Sequence, residues 1–249
     1  MAINVNTVYT TVLNILNKEQ RGYLTPDEFN KIATQVQLEI FEKFFEDYNQ
    51  YIRMPKTDVE FASRMDHIME EFQVFEKTEF ADNTTPPTSN VYDQPTNLHR
   101  FGSATWNKGT NSPPIEILSN RDYNRVKLSP LTQPTNNFPV AKYQQDKLTV
   151  FPSPTIFANT DVTFNYIRKP LDVVWAYSVG SLGQYVYEPT NTGAGIIPTT
   201  GSVNFEISES QQTEVILEIL KYSGIVIRDP QIIQAASREL AQEEVNSKR

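Results

Sequence analysis

The residues whose spacing most invites chemistry are Asn17–Phe29, NKEQRGYLTPDEF. They have the outline of a calcium-binding EF-hand loop, with Gly22 sixth, the apolar Leu24 eighth, Glu28 twelfth and Phe29 after it. The ligand positions do not fit. The first, third and fifth residues are Asn17, Glu19 and Arg21, and a guanidinium at the fifth faces the place a cation would occupy. Thr25-Pro26-Asp27-Glu28 is explained instead as a helix start, so no metal is expected here.

Other reactive groupings are equally thin. Asp66, Glu70 and Glu71 fall close together on a helical pattern, and carboxylate pairs can cleave glycosides. They lie opposite the apolar stripe of that helix, where a solvated face belongs. His67 and His99 are the only histidines and have neither HExxH nor triad spacing. The chain has no Cys, which excludes disulfides, thiolate zinc sites and cysteine nucleophiles. GxSxG, P-loop and GxGxxG patterns do not occur. Arg121, Arg125, Lys127, Arg168 and Lys169 could line up as a basic strip for DNA, although such charges more often only solvate a surface. The expectation is no catalytic residue, no cofactor and no enzyme activity.

The elements that would position these residues come next. Val8, Val12 and Ile15–Leu16 predict a helix over 6–17. The second helix has the clearest start signal: Thr25 as cap, Pro26 at the first helical position and Glu28 completing a capping box. Phe29, Ile32, Val36, Ile40, Phe44, Tyr48 and Tyr51 then recur at helical spacing. A third helix is expected from Thr57 or Asp58, with Phe61, Met65, Ile68–Met69, Phe72 and Phe75 on one face. Asp82–Gln94 reads as a linker, followed by strands near Leu98–Trp106 and Ile115–Leu118 and a short helix entered at Ser119.

Lys147–Pro170, KLTVFPSPTIFANTDVTFNYIRKP, organises the middle of the chain. Leu148 and Val150, then Val162, Phe164 and Tyr166, recur at every second position and predict two strands joined by a Pro-rich connection. Val173–Ser202 reads as a long loop or irregular hairpin, and Val203–Ile207 as a last strand. Ser208 is placed to cap a helix stopping at Gly224. Asp229-Pro230 opens a final helix with Ile232, Ile233, Ala236, Leu240 and Val245 apolar.

The fold class expected is α+β, with helical arms at the N- and C-termini packed with a central antiparallel β-rich module. The expected domains are 1–80, 81–207 and 208–249. A chain of 249 residues can hold one large or two small domains. Its net charge of −8 divides unevenly along the sequence. Residues 1–80 carry 8 basic and 14 acidic groups, residues 81–207 carry 9 of each, and residues 208–249 carry 5 and 7. No segment is basic, which argues against tight phosphate binding. Thirteen of the 16 prolines lie between Pro86 and Pro198. No apolar run approaches the roughly 20 residues that span a bilayer, and the first residues lack the basic region of a signal peptide. No membrane association is expected.

Three pieces occur in order: SPLTQPTNNFPVAKY (Ser129–Tyr143), KLTVFPSP (Lys147–Pro154) and VTFNYIRKPLDVVW (Val162–Trp175). Together with the helical pieces near both ends, the chain resembles the head–tail connector (ring or adaptor) proteins of crAss-like and related short-tailed bacteriophages. The resemblance implies a virion structural protein, assembled in the host bacterial cytoplasm. Twelve copies would form a ring that docks on the portal protein, contacts neighbouring connector or tail proteins and passes phage DNA without sequence-specific binding. It also implies that KYSGIVIRDPQI (Lys221–Ile232) and the following helix dock on the portal; the apolar stripe of that helix adds the expectation that Ile232, Ile233, Ala236 and Leu240 bury against the portal or a neighbouring subunit. The same stripe could instead pack on the chain's own helices. The long 173–202 loop departs from the simplest adaptors. Alternatives in view are another tail or minor capsid protein, a glycan-binding module, and a virion-associated hydrolase using carboxylates.

Overall fold

The computed structural model describes residues 2–18, 24–53, 69–81, 90–107, 112–152, 161–190, 195–227 and 230–247. It is an α+β fold with helices toward both ends. In chain order come α1 (Val5–Lys18), α2 (Pro26–Arg53), α3 (69–73), β1 (Glu76–Phe80), β2 (Val91–Asp93) and β3 (Leu98–Trp106). They are followed by β4 (Glu116–Ile117), α4 (Asn120–Leu128), β5 (Val140–Gln144), β6 (Lys147–Phe151) and β7 (Val162–Arg168). The remainder is β8 (Tyr177–Val179), β9 (Tyr185–Tyr187), a 3-10 turn (Glu209–Gln211), α5 (Gln212–Ile227) and α6 (Pro230–Ser247).

The chain divides into two compact units. The first comprises Met1–Glu71 and Pro170–Arg249, and the second Phe72–Lys169. The division differs from the expected boundaries at 80/81 and 207/208. The reason is physical: β1 is hydrogen-bonded to β7 along its length, whereas the segment after Pro170 is bonded to α2.

The second unit is built on two sheets. One is three-stranded and antiparallel, in the order β1-β7-β3. The other runs β2-β6-β5-β4, antiparallel except for the parallel β4–β5 pair. Leu148 and Val150 of β6 and Val162, Phe164 and Tyr166 of β7 all join one buried cluster with Tyr92, Trp106 and Ile115. The alternation read from the sequence is therefore present in both strands. β6 lies between β2 and β5, and β7 between β1 and β3, so the two strands belong to opposite sheets over a shared core. Residues 153–160 of the expected Pro-rich connection lie outside the described residues.

Two local features fix this unit's register. β5 and β6 join through Gln145 and Asp146, with φ of 55° and 59°. Two successive left-handed residues match a hairpin's twist, at a cost for side chains other than Gly. On β3 the register shifts between Phe101 and Ser103. A Cβ at Gly102 would stand 2.8 Å from the Asn165 carbonyl oxygen, so the close approach requires Gly there.

In the first unit the capping box forms as expected. The Thr25 amide donates to Glu28 Oε2 at 3.0 Å, and the Glu28 amide donates to Thr25 Oγ1 at 3.4 Å. α1 buries Val5, Val8, Val12 and Leu16, and α2 buries Phe29, Val36, Ile40 and Phe44, each burial contributing about 1.5–3 kcal/mol. Ile15 is more exposed than its place in the stripe implied. α5 packs against α1, α2 and α6.

Three expectations need correction. Gly224 does not stop its helix, because α5 continues through it to Ile227. Val203–Ile207 is not a strand: Val203 forms an isolated bridge with Val174, and the Phe205 amide donates to the Ile3 carbonyl. Asp82–Gln94 is not all linker, since Val91–Asp93 pairs with β6. The start of the third helix, through Ile68, lies outside the described residues, and 69–73 are helical.

Candidate interaction surface

The first unit contains an arrangement beyond those expected from the sequence. Leu171, Val173 and Trp175 are alternate residues of an extended segment. Asn30, Thr34 and Gln37 are spaced along one flank of α2. The two sets meet. The Trp175 amide donates to Asn30 Oδ1 at 2.7 Å, and Asn30 Nδ2 donates back to the Trp175 carbonyl at 3.3 Å. The Val173 amide donates to Thr34 Oγ1 at 3.1 Å, and that hydroxyl lies 3.3 Å from the Val173 carbonyl. Gln37 Nε2 donates to the Leu171 carbonyl at 2.7 Å, while its Oε1 accepts the Glu206 amide at 2.8 Å. Gln37 is only 1% exposed, so both bonds satisfy groups that water does not reach.

This polar ladder works because the two periods match. Residues three or four apart on a helix rise about 4.5–6 Å, near the roughly 6.5 Å advance of two residues in a strand. The helix thus acts as a second edge for the extended segment, with side chains in place of backbone partners. The opposite edge is held by the Val174–Val203 bridge. Trp175 anchors the end of the ladder: its indole Nε1 donates to Asn6 Oδ1 at 3.0 Å, and its ring lies 4.4 Å from that of Tyr9.

From Trp175 the chain enters the β8–β9 hairpin. Tyr187 and Tyr177 stack on the indole at 5.6 and 5.9 Å, and Tyr185 meets Tyr177 edge-on at 4.8 Å. Ser202 Oγ ties the base together, accepting the Ala176 amide and donating to the Glu188 carbonyl. The turn then presents Leu182, 91% exposed, between Gly180 and Gly183, with Val179 and Val186 also exposed. Gly183 has φ of +79°, a conformation favourable only to Gly. The hairpin thus carries an apolar tip on a base braced by aromatic rings.

The second unit carries its own exposed apolar region after α4. Leu131 is 95% and Phe138 78% exposed. They line a groove of about 560 Å³ with Pro114, Leu118, Val126 and Pro139. α4 borders it and is well formed: Ser119 caps it, accepting the Asp122 amide.

The residues singled out from sequence fall as follows. In α6, Ala236 is buried and Ile233 and Leu240 are half-buried, and α6 packs on α5 within the same unit. The Ile232 side chain lies outside the described residues. Glu28, twelfth in the EF-hand-like stretch, is engaged by Thr25, which holds its carboxyl below the usual range; residues 19–23 lie outside the described residues. Asp66 and His67 are also outside them, whereas Glu70 is exposed and Glu71 half-buried. Among the described residues no group of three His, Asp or Glu is placed to hold a metal. Of the basic strip, Arg121, Arg125 and Lys127 share exposed α4. Arg168 donates to the Val74 carbonyl and lies over the Phe75 ring, a structural role in its own unit.

One titrating cluster sits on the second unit's three-stranded sheet. The Tyr166 hydroxyl donates to Glu79 Oε2 at 2.8 Å. Burial, then Glu79, pushes the phenol up to about 12. The Tyr166 hydrogen bond, then the one from Lys77, holds Glu79 below the ordinary carboxylate range. The arrangement braces β1 against β7. Among the described residues no helix is long and apolar enough to cross a membrane. No protein-family model matches this chain, and no curated protein matches it.

Proposed function

We propose that the chain is a virion structural protein, a subunit of an oligomeric head–tail connector ring that docks on the portal protein and continues the DNA channel to the tail. The observation that carries the reading is the ordered likeness of Ser129–Tyr143, Lys147–Pro154 and Val162–Trp175 to connector proteins. These pieces supply β5, β6 and β7, the central strands of the second unit, and run on to Trp175, which anchors the hairpin. Two further features agree with work done through interfaces rather than chemistry. Each unit presents large apolar side chains to solvent, and the reactive groups expected from sequence that fall among the described residues are engaged in local structure or dispersed on the surface.

In this reading the ring holds copies of the chain, twelve by the family likeness, and DNA passes an acidic molecule without sequence-specific contact. Electron microscopy of the chain mixed with the portal protein of the same phage tests it. The expected image is a ring coaxial with the portal, and portal particles with no added density would overturn the proposal. A second reading, a glycan-binding module, is favoured by the rings of Tyr177, Tyr185 and Tyr187 gathered around Trp175. Glycan-array binding by a chain that ignores the portal would select it.

A further inference from the structure

We propose that copies of this chain join head to tail, the β8–β9 hairpin of one copy seating Leu182 in the groove beside α4 of the next. This names the contact on which ring closure depends, and so rests on the connector reading. The chain carries both halves of the contact. The knob is a 91% exposed Leu on a tight turn, and its base is fixed by the Trp175 aromatic stack and the α2 ladder. Such pre-organisation lowers the ordering cost of association. The groove, about 560 Å³, has apolar walls at Leu118, Val126, Leu131, Phe138 and Pro139 and a polar rim at Glu116, Thr132 and Gln133, with space for a branched aliphatic side chain.

Charge selects a second copy as the occupant. The first unit has 12 basic and 22 acidic residues, net −10, and the second has 10 and 8, net +2. Near the contact the contrast repeats. At the hairpin base Glu188 accepts from Ser178. Arg121, Arg125 and Lys127 stand exposed on α4, whose Val126 lines the groove, and outnumber the nearby carboxylates, Asp122 on α4 and Glu116 in the groove wall. Knob and groove are different surfaces, so the contact is heterologous and propagates until it closes into a ring. The rim charges steer the encounter and make it sensitive to salt.

The absence of native Cys permits a direct test. Full-length Leu182→Cys and Leu131→Cys proteins carry different tags, are mixed and are treated with a short bis-maleimide. The expected result is a crosslinked heterodimer in large excess over either homodimer, reduced by high salt. A heterodimer yield no greater than the homodimers overturns the contact. Leu182→Asp should leave the melting temperature unchanged while raising the concentration needed for assembly by about tenfold or more. If that variant forms rings on the portal as readily as the parent, the contact is wrong and the connector reading stands. A chain that stays monomeric both alone and with the portal sinks both.

Discussion

The second unit's sheets and the first unit's extended segment solve the same problem by different means. In β6 and β7 the backbone pairs with other strands, and alternate side chains fill a dry core around Trp106 and Phe164. Between Leu171 and Trp175 the backbone pairs with the side chains of a helix, through Asn30, Thr34 and Gln37. The first arrangement draws its stability from apolar area and is written as a period of two. The second draws it from a few part-buried hydrogen bonds and leaves the hairpin beyond it facing outward. A sheet body with a dry core and a polar-held hairpin suit different tasks, and the proposed contact between copies uses both.

The largest effect should come from the apolar side of the comparison. Trp106, 1% exposed, replaced by Ala should cost the second unit about 3–5 kcal/mol, read from denaturant unfolding. A loss under about 1 kcal/mol would show that the shared core is not what holds the two sheets. On the polar side, Gln37→Ala strands the Leu171 carbonyl and the Glu206 amide and should cost about 1–3 kcal/mol. Its distinguishing mark is faster hydrogen exchange at the amides of 173–176, with strands of the second unit unchanged. Uniform exchange across both units would erase the contrast drawn here.

Smaller effects sharpen it. Thr25→Ala removes the α2 capping box and should cost about 1 kcal/mol, seen as a lowered melting temperature. The pH dependence has a definite sign. Glu28 and Glu79 both have folded pKa values below the ordinary carboxylate value. Their contribution is therefore fully present above the unfolded pKa of about 4.3 and is lost as pH falls through the folded values. Acid melts should show Glu79→Gln and Glu28→Gln each flattening the fall in stability below about pH 4. The smallest change is a gain: Gln145→Asn with Asp146→Gly relieves two left-handed residues and should stabilise by about 0.5–1 kcal/mol.

These contrasts explain what could be read in advance. The capping box at Thr25, the α4 cap at Ser119 and the alternation of Leu148, Val150, Val162, Phe164 and Tyr166 are local patterns with one physical cause each, and they were legible. The α+β class followed from them. Which strands pair was not legible, because alternation fixes a strand's buried face and leaves its neighbours open. β1 was missed because EKTEF is exposed at every residue and shows no apolar period. Gly224 was misread because α5 carries it at a buried position packed within its own unit. The ladder residues Asn30, Thr34 and Gln37 did leave a signal, a polar stripe at helical spacing flanking Phe29, Ala33 and Val36. Without the segment they grip, such a stripe reads as solvent-facing surface. The exposed Leu182 and Leu131 leave no periodic trace, since contact residues on turns obey no repeat.

The central claim is that this molecule acts by assembling on a portal. Light scattering of the chain, alone and with a candidate portal protein, measures it most directly. The account predicts a complex of fixed stoichiometry whose added mass is a whole number of 28.5 kDa subunits, lost with Leu182→Asp at low concentration. A mass that stays at one subunit at every concentration, with the portal running separately, would contradict it.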